Sequence, residues 1–292
     1  MPSPARLAGA ALAMVAAMVP GSALAWGNEG HRVVAAIARA YLTPITAARV
    51  DALLAADTDP LTPHDMVSAS AWADAFRTNH RETAAWHFAD IELSKPDLAA
   101  ACFGFPAAAR PASAGPAQDC VVDRIEAFAA ELADSSTPQA EKILALKYLL
   151  HFVGDVHQPL HASDNRDRGG NCVQLSLGGA RTTNLHSYWD TAVVEAMGAD
   201  PTALAGKLRA QISAAQRRAW EKGDAAAWAL ESFGVAKAVT YTVGSPPGCS
   251  PDAGPRSLPA GYEAASQKAA AIQLERAGVR LASVLNRALG GA

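Results

Sequence analysis

The chain has 292 residues, half of them apolar, and its 25 lysine and arginine residues face 28 aspartate and glutamate residues for a formal net charge of −3. A protein that holds nucleic acid through cationic side chains alone is usually basic, so this composition argues against that class. Any polyanion site here would need positive charge from another source, such as bound metal ions.

The first 25 residues have the features of a secretory signal peptide. Arg6 precedes an apolar run over residues 7–19, and the segment closes with the small-residue pattern Ala-Leu-Ala at 23–25. The apolar run is too short to cross a bilayer. We therefore expect residues 1–25 to be removed, so that the mature chain begins at Trp26 and is secreted or periplasmic.

Helical periodicity predicts a mainly α single domain over residues 26–292. Apolar residues recur at helical spacing in six segments: 30–42, 65–79, 119–133, 138–157, 201–233 and 261–289. The strongest strand signal is a hairpin over residues 172–184, centred on two glycines. Residues 95–118 and 244–261 are rich in turn formers and are predicted to be, or to adjoin, long loops.

The mature N-terminus is an unusual element. The segment WGNEGHR places His31 five residues after Trp26. Once the signal peptide is removed, the free amine and the carbonyl of Trp26 can chelate a metal together with His31. Further along, Asp74 stands in ASAWADAF, and AAWHFADI contains His87 and Asp90. Each of these residues alone would be unremarkable.

The segment HFVGDVHQPLH, residues 151–161, is dense in histidine. His151 and Asp155 are four residues apart and therefore share a helix face. A single H-x-x-x-D pair is more often an ion pair or a capped core histidine than a metal site. The pair recurs, however, as His186 and Asp190 in NLHSYWD. With His161, these residues offer the imidazole and carboxylate ligands that suit zinc.

The four cysteines predict two disulfides in an exported chain. They are Cys102, Cys120, Cys172 and Cys249. Four cysteines allow three pairings, and the sequence does not choose among them.

Taken together, these motifs resemble the single-strand-specific zinc nucleases of fungi, plants and bacteria, the nuclease S1/P1 family. The resemblance runs in order from Trp26 to Asp190 and includes RGGN at 168–171. Beyond about residue 195 it rests on length and helicity alone. It implies the helical fold of the zinc phospholipase C/nuclease superfamily, with a small β-hairpin.

The resemblance implies three zinc ions in one cleft. The first ion would be held by Asp74, His87, His151 and Asp155. The second ion would be held by Asp155, His31 and the amine and carbonyl of Trp26. The third ion would be held by His161, His186 and Asp190. The positive charge of three divalent cations exceeds the negative charge of three aspartates, so the site of a mildly acidic protein would still attract phosphate. His157 lies off the face of His151, and we interpret it as structural.

The resemblance also implies a mechanism and its substrates. A hydroxide shared by two zinc ions would attack phosphorus in line, Asp74 would orient it, and the products would end in 5′-phosphate. Lys95 stands where the family has a lysine near the scissile phosphate, although a solvated loop lysine is an equal alternative. Phe88 would stack on a base and Asp90 would accept hydrogen bonds from the base edge; otherwise Phe88 belongs to the core and Asp90 is a cap. A base must be unpaired to stack on a side chain, which predicts single-stranded DNA and RNA as substrates. The resemblance also allows 3′-nucleotides as substrates. It suggests that the protein is a monomer.

Two rival interpretations stay open. A zinc-dependent phospholipase C of the same superfamily would have glutamate at the last ligand position and a longer step from the N-terminal tryptophan to the first histidine. Asp190 and the five-residue step to His31 favour the nuclease branch. A zinc-storage protein is the second rival, but nine ordered ligands with a base-stacking pair exceed what storage needs.

Overall fold

The computed structural model describes residues 26–102, 110–250 and 254–291, so the signal peptide predicted for residues 1–25 lies outside the described residues. In this part of the chain the α-helices are α1 (Gly27–Arg39), α2 (Pro44–Ala55), α3 (Met66–Ala69), α4 (Trp72–Arg77), α5 (Leu98–Ala101), α6 (Val121–Ala133), α7 (Gln139–Asp155), α8 (Leu185–Ser187), α9 (Val193–Met197), α10 (Pro201–Gln211), α11 (Ala214–Trp220), α12 (Ala225–Ala238) and α13 (Tyr262–Leu289). The strands are β1 (Gln174–Ser176), β2 (Thr182–Asn184) and β3 (Arg256–Ser257). The prediction of a mainly helical fold is confirmed. None of the described helices has the length and hydropathy needed to span a membrane.

The central element of the fold is α7. Every residue from Ala145 to Asp155 is buried, as expected for a helix packed on all sides. It packs against α6, α13 and α1, and it ends at Asp155, shortly before Pro159, whose ring cannot continue a helix. The histidine-rich segment therefore lies in the interior of the molecule.

Helices α1 and α13 pack in close contact at Gly278. A methyl group built on Gly278 would lie 2.4 Å from Ile37 Cγ2 and 3.3 Å from the Val34 carbonyl oxygen. Because the nearest atoms belong to the packed core of α1, a larger residue at this position would separate the two helices.

We expect Gly278→Ala to lower the free energy of unfolding by about 1–3 kcal/mol, the usual cost of overpacking a core. Urea denaturation followed by circular dichroism would measure this. Gly234→Ala, at a helical position where an added methyl group meets nothing within 4 Å, is the matched control. An unchanged midpoint for Gly278→Ala would contradict the close packing of α1 on α13.

Local capping explains where the helices differ from the predicted segments. The unpredicted helix α2 begins after Thr43, whose side chain accepts a hydrogen bond from the Thr46 amide, with Pro44 in the first turn. The segment predicted at 201–233 is divided into three helices, because Ser213 forms a capping box and Asp224 caps α12. The segment predicted at 65–79 is likewise divided, into α3 and α4.

The small sheet and one of the two disulfides connect segments in the second half of the chain. Strands β1 and β2 form the predicted antiparallel hairpin, and β3, from a segment predicted as loop, joins β1 in parallel. The disulfides join Cys102 to Cys120 and Cys172 to Cys249. The second one links the start of the hairpin to the chain segment that contains β3.

Candidate metal centre

Helix α7 and the turn that follows it supply three side chains to one buried point. His151 Nε2 lies 3.3 Å from Asp155 Oδ2, because the two residues are one helical turn apart. The chain then forms a short 3₁₀ turn, Pro159–His161, and His161 Nδ1 lies 3.6 Å from Asp155 Oδ1. All three side chains are fully buried.

Two histidines from earlier elements converge on the same aspartate, and Asp74 lies beside them. His31 of α1 places Nε2 3.4 Å from Asp155 Oδ1, and His87, at the end of a 3₁₀ segment, places Nδ1 2.9 Å from Asp155 Oδ2. Asp74 of α4 lies 3.6 Å from His151 Nε2 and 3.9 Å from His87 Nδ1. One carboxylate, Asp155, therefore joins the whole group.

A third group lies beside the first two. The Nε2 atoms of His161 and His186 are 3.2 Å apart, and His186 Nε2 lies 3.4 Å from Asp190 Oδ2. Asp190 belongs to a π-helical turn, Tyr188–Ala192, a local irregularity that is frequent at functional sites. Gln158 Nε2 donates to the other carboxylate oxygen of Asp190 at 2.6 Å.

Trp26, which the sequence predicts to be the first residue after the signal peptide, also lies at this centre. Trp26 is fully buried, and its indole Nε1 donates to the Gly154 carbonyl at 3.0 Å. Its backbone N–H donates to the Asp190 carboxylate. The absence of a side chain at Gly154 matters, because an added methyl group there would lie 2.7 Å from His31 Nδ1.

Backbone carbonyl groups fix the tautomers of three histidines. In each case Nδ1 donates to a carbonyl oxygen and leaves the Nε2 lone pair facing the interior. The acceptors are Ser70 for His151 at 2.7 Å, His87 for His161 at 2.9 Å and Gly169 for His186 at 2.6 Å. This is the arrangement typical of imidazole that binds a metal.

The unpartnered atoms fit divalent cations. Buried atoms without a hydrogen-bond partner include Nε2 of His31, His87 and His151, Asp74 Oδ2, Asp155 Oδ1 and Asp190 Oδ2. Three sets have ligand atoms within 4.8 Å of one another: His31, Asp74 and His151; His87, His151 and Asp155; and His161, His186 and Asp190. Buried polar atoms are costly when unpaired, and cations would satisfy all of these at once.

The pKa shifts favour the ligand forms of the histidines. Burial lowers the pKa of His151 and His161 well below the usual value and that of His186 to about 4, so all three are neutral at neutral pH. Burial raises the pKa of Asp74 and Asp190. Burial alone would also raise the pKa of Asp155, but the adjacent histidines, His151 above all, lower it. Bound cations would favour the ionised form of every one of these carboxyl groups.

Phe88 and Asp90 lie next to the third group. The half-buried ring of Phe88 is 4.4 Å from the His161 ring centroid, and the intervening Ala89 amide donates to the His161 carbonyl at 2.7 Å. Asp90 is exposed, and desolvation by the surrounding protein, followed by the charges of Asp164 and Asp167, raises its pKa to about 7. An aromatic ring thus lies at the edge of the centre, two residues before this carboxyl group in the chain.

The cation nearest the centre is one that the sequence reasoning missed. Arg77 is buried, and its Nη2 atom lies 3.0 Å from Asp74 Oδ1. Lys95 is exposed, and no hydrogen bond or ion pair within the described ranges joins it to this group. The three-residue step from Asp74 to Arg77 on one helix was the available signal.

His157 faces away from the centre and accepts a hydrogen bond from Arg280 Nη1 at 2.8 Å, which agrees with a structural role.

Comparison with known proteins identifies relatives along the whole described region. A model of the S1/P1 nuclease family matches residues 26–290. Nuclease P1 of Penicillium citrinum is 28% identical over 289 residues, which cover 91% of this chain and 98% of that protein. Nuclease S1 of Aspergillus oryzae (strain ATCC 42149 / RIB 40) is 31% identical over 172 residues, and Endonuclease 2 of Arabidopsis thaliana is 31% identical over 180 residues. These two alignments cover 58% and 60% of this chain but only 55% and 58% of the relatives, so the matched region spans little more than half their length.

Proposed function

Because the chain belongs to the S1/P1 nuclease family, we propose that it is an exported, zinc-dependent endonuclease that hydrolyses single-stranded DNA and RNA to products with 5′-phosphates. The observation that carries this proposal is the convergence of buried, unpartnered histidine and aspartate atoms beside Phe88 and Asp90. The two disulfides support export, since such bonds persist in oxidising compartments. Action on 3′-nucleotides is a further possibility for the same centre.

The ligand sets follow the residues described above. One zinc ion would be held by Asp74, His87, His151 and Asp155. A second would be held by Asp155, His31 and the Trp26 backbone. A third would be held by His161, His186 and Asp190. When bound, zinc supplies a water that ionises near neutral pH and a Lewis acid for phosphoryl oxygens. Asp155 would contribute to the first two of these sets, and the third set would be separate from them in its ligands.

The protein's own residues would position the substrate and offset its charge. Asp74 would accept a proton or a hydrogen bond from the attacking nucleophile, and its partner Arg77 would offer a guanidinium to the phosphoryl oxygens. This assignment differs from the expectation for Lys95, because Arg77 is already held at the centre. Gln158 would keep the Asp190 carboxylate oriented through its 2.6 Å hydrogen bond.

Phe88 and Asp90 would select an unpaired base. An aromatic ring can stack on any base, which makes the contact tolerant of sequence. A base inside a duplex cannot reach that ring, so a single strand is favoured. Asp90, when ionised, would accept hydrogen bonds from amino or imino groups on the base edge.

The test uses the mature chain from Trp26, given denatured DNA, RNA and a phosphatidylcholine dispersion in parallel, with and without a chelator. Chelator-sensitive release of 5′-phosphorylated nucleotides is the expected result. Release of diacylglycerol with nucleic acid intact would favour the alternative, a zinc-dependent phospholipase C. Zinc binding without turnover of any substrate would favour a storage protein.

We expect the KM for a dinucleoside monophosphate to rise by up to roughly 10-fold between pH 8 and pH 6. The pKa of Asp90 is raised to about 7, so the accepting carboxylate is present above that pH and lost below it. Asp90→Asn should abolish this rise of KM between pH 8 and pH 6. Phe88→Ala should raise KM at both pH values but leave its pH dependence unchanged. Steady-state kinetics would measure all three proteins, and an unchanged pH profile in Asp90→Asn would assign the rise to another group.

A further inference from the structure

A cavity of about 380 Å³ adjoins the metal centre and is not used by the mechanism above. Its walls come from α1, the loop at residues 61–63 and helices α3 and α4. The polar lining residues are Asn28, Arg32, Thr62, Ser68, Asp74 and Thr78. Asp74 contributes to the lining of the cavity and, through its buried carboxylate, to the metal centre, so the two sites adjoin at this residue.

Arg32 is the basic residue in this lining. It follows His31 directly in α1, and it shares a helix face with Asn28, four residues earlier. The side chain is half-buried, and its Nε atom is buried without a hydrogen-bond partner. Among residues 26–102, 110–250 and 254–291, no carboxylate lies within ion-pair distance of it. A guanidinium that is held in place with unused donors is well suited to an oxyanion.

The charge of Arg32 acts on Asp65, but the acidic groups near Arg32 form their hydrogen bonds and ion pairs with other groups. Asp65 Oδ1 accepts hydrogen bonds from the Val67 and Ser68 amides at the start of α3. Asp74 is paired with Arg77 and belongs to the metal centre. The remaining lining includes hydroxyl groups and the apolar side chains of Leu61 and Pro63. This combination matches a phosphodiester joined to a sugar.

We propose that this cavity binds the phosphodiester next to the scissile one, and that Arg32 is its main contact. The proposal rests on the proposed nuclease function, because only a polynucleotide places a second phosphate beside the one being cleaved. Arg32 can donate two parallel hydrogen bonds to the phosphate oxygens, and Asn28 and Thr62 can donate further ones. The volume is within the range of cavities that hold small ligands. The site would make the enzyme favour chains over its smallest substrates.

The test compares a dinucleoside monophosphate, which has a single phosphodiester, with an octathymidylate. Arg32→Gln should lower kcat/KM for the octamer by roughly 10-fold, as expected for a lost charge-assisted hydrogen bond, and leave the dinucleoside monophosphate within about twofold. Anisotropy titration of labelled octamer should show the same loss of affinity. The slope of log affinity against log salt should fall by about 0.7, the value for one phosphate contact on a single strand. Arg32→Lys should recover part of both effects.

The control is Arg39→Gln, on the same helix, where the exposed guanidinium pairs with Asp51 at 2.7 Å instead of facing the cavity. It should behave as the parent, and zinc content should be equal in all variants. Equal losses on both substrates, or a change in zinc content, would mean that Arg32 acts through His31, and would overturn the proposal. A parent that cleaves neither substrate would refute the nuclease function instead, while the anisotropy titration would still decide the role of Arg32.

Discussion

Replacing Asp155 by asparagine should reduce hydrolysis of single-stranded DNA by roughly 1,000-fold or more. Asp155 is the carboxylate that lies within 3.6 Å of His31, His87, His151 and His161. An amide has one oxygen and no charge, so it cannot serve two neighbouring cations. The zinc content of the purified protein should fall together with activity, and both can be measured on the same sample.

A control is needed because Asp155 is buried and the variant could simply unfold. Melting in the presence of a chelator separates the two explanations: parent and Asp155→Asn should then melt at similar temperatures, since neither holds metal. Asp51→Asn, which changes an exposed carboxylate paired with Arg39, should leave activity and zinc content unchanged. Full activity in Asp155→Asn would refute the shared-ligand role.

The second large effect concerns the N-terminus. A chain that retains even one residue before Trp26 should lose roughly 10- to 100-fold in activity. The Trp26 backbone nitrogen lies beside Asp190, and the buried indole fixes that position through Gly154. An added residue turns a chelating amine into an amide, which has no available lone pair.

The measurement compares chains that begin at Trp26 with chains that begin at Ala25, both analysed for zinc by mass spectrometry under native conditions. The extended chain should bind one ion more weakly than the mature chain. A Trp26→Phe variant that begins at the same position keeps the amine, and it should retain most of the zinc despite the lost hydrogen bond to Gly154. Equal zinc content and activity in extended and mature chains would exclude the amine as a ligand.

The sequence predicted the long helices well and the short ones poorly. Helices α6, α7 and α13 lie within a few residues of the predicted segments, because each has an uninterrupted apolar periodicity. Helix α2 was missed although Thr43 and Pro44 form a recognisable start. Strand β3 has only two residues and is stabilised by its neighbour β1, so its sequence alone contains little signal.

The candidate centre was predictable to the extent that its residues stand in local motifs. The four-residue spacing of His151 and Asp155, and of His186 and Asp190, predicts that each pair shares a helix face. Arg77 and Arg32 do not, because their importance depends on which side of a helix meets the centre and on which charges already have partners. The pairing of Cys172 with Cys249 is likewise set by tertiary contacts across 77 residues of chain.

The position of Trp26 has a consequence for the cell that produces this protein. A nuclease that uses its own amino terminus as a metal ligand would have little activity while the predicted leader is attached, and removal of that leader by signal peptidase would activate it. The Cys172–Cys249 disulfide, which links the start of the hairpin to a later segment of the chain, would also form only after the proposed export. The enzyme would therefore become active only after leader removal and disulfide formation, both outside the cytoplasm. It would then not degrade the messenger RNA from which it is translated.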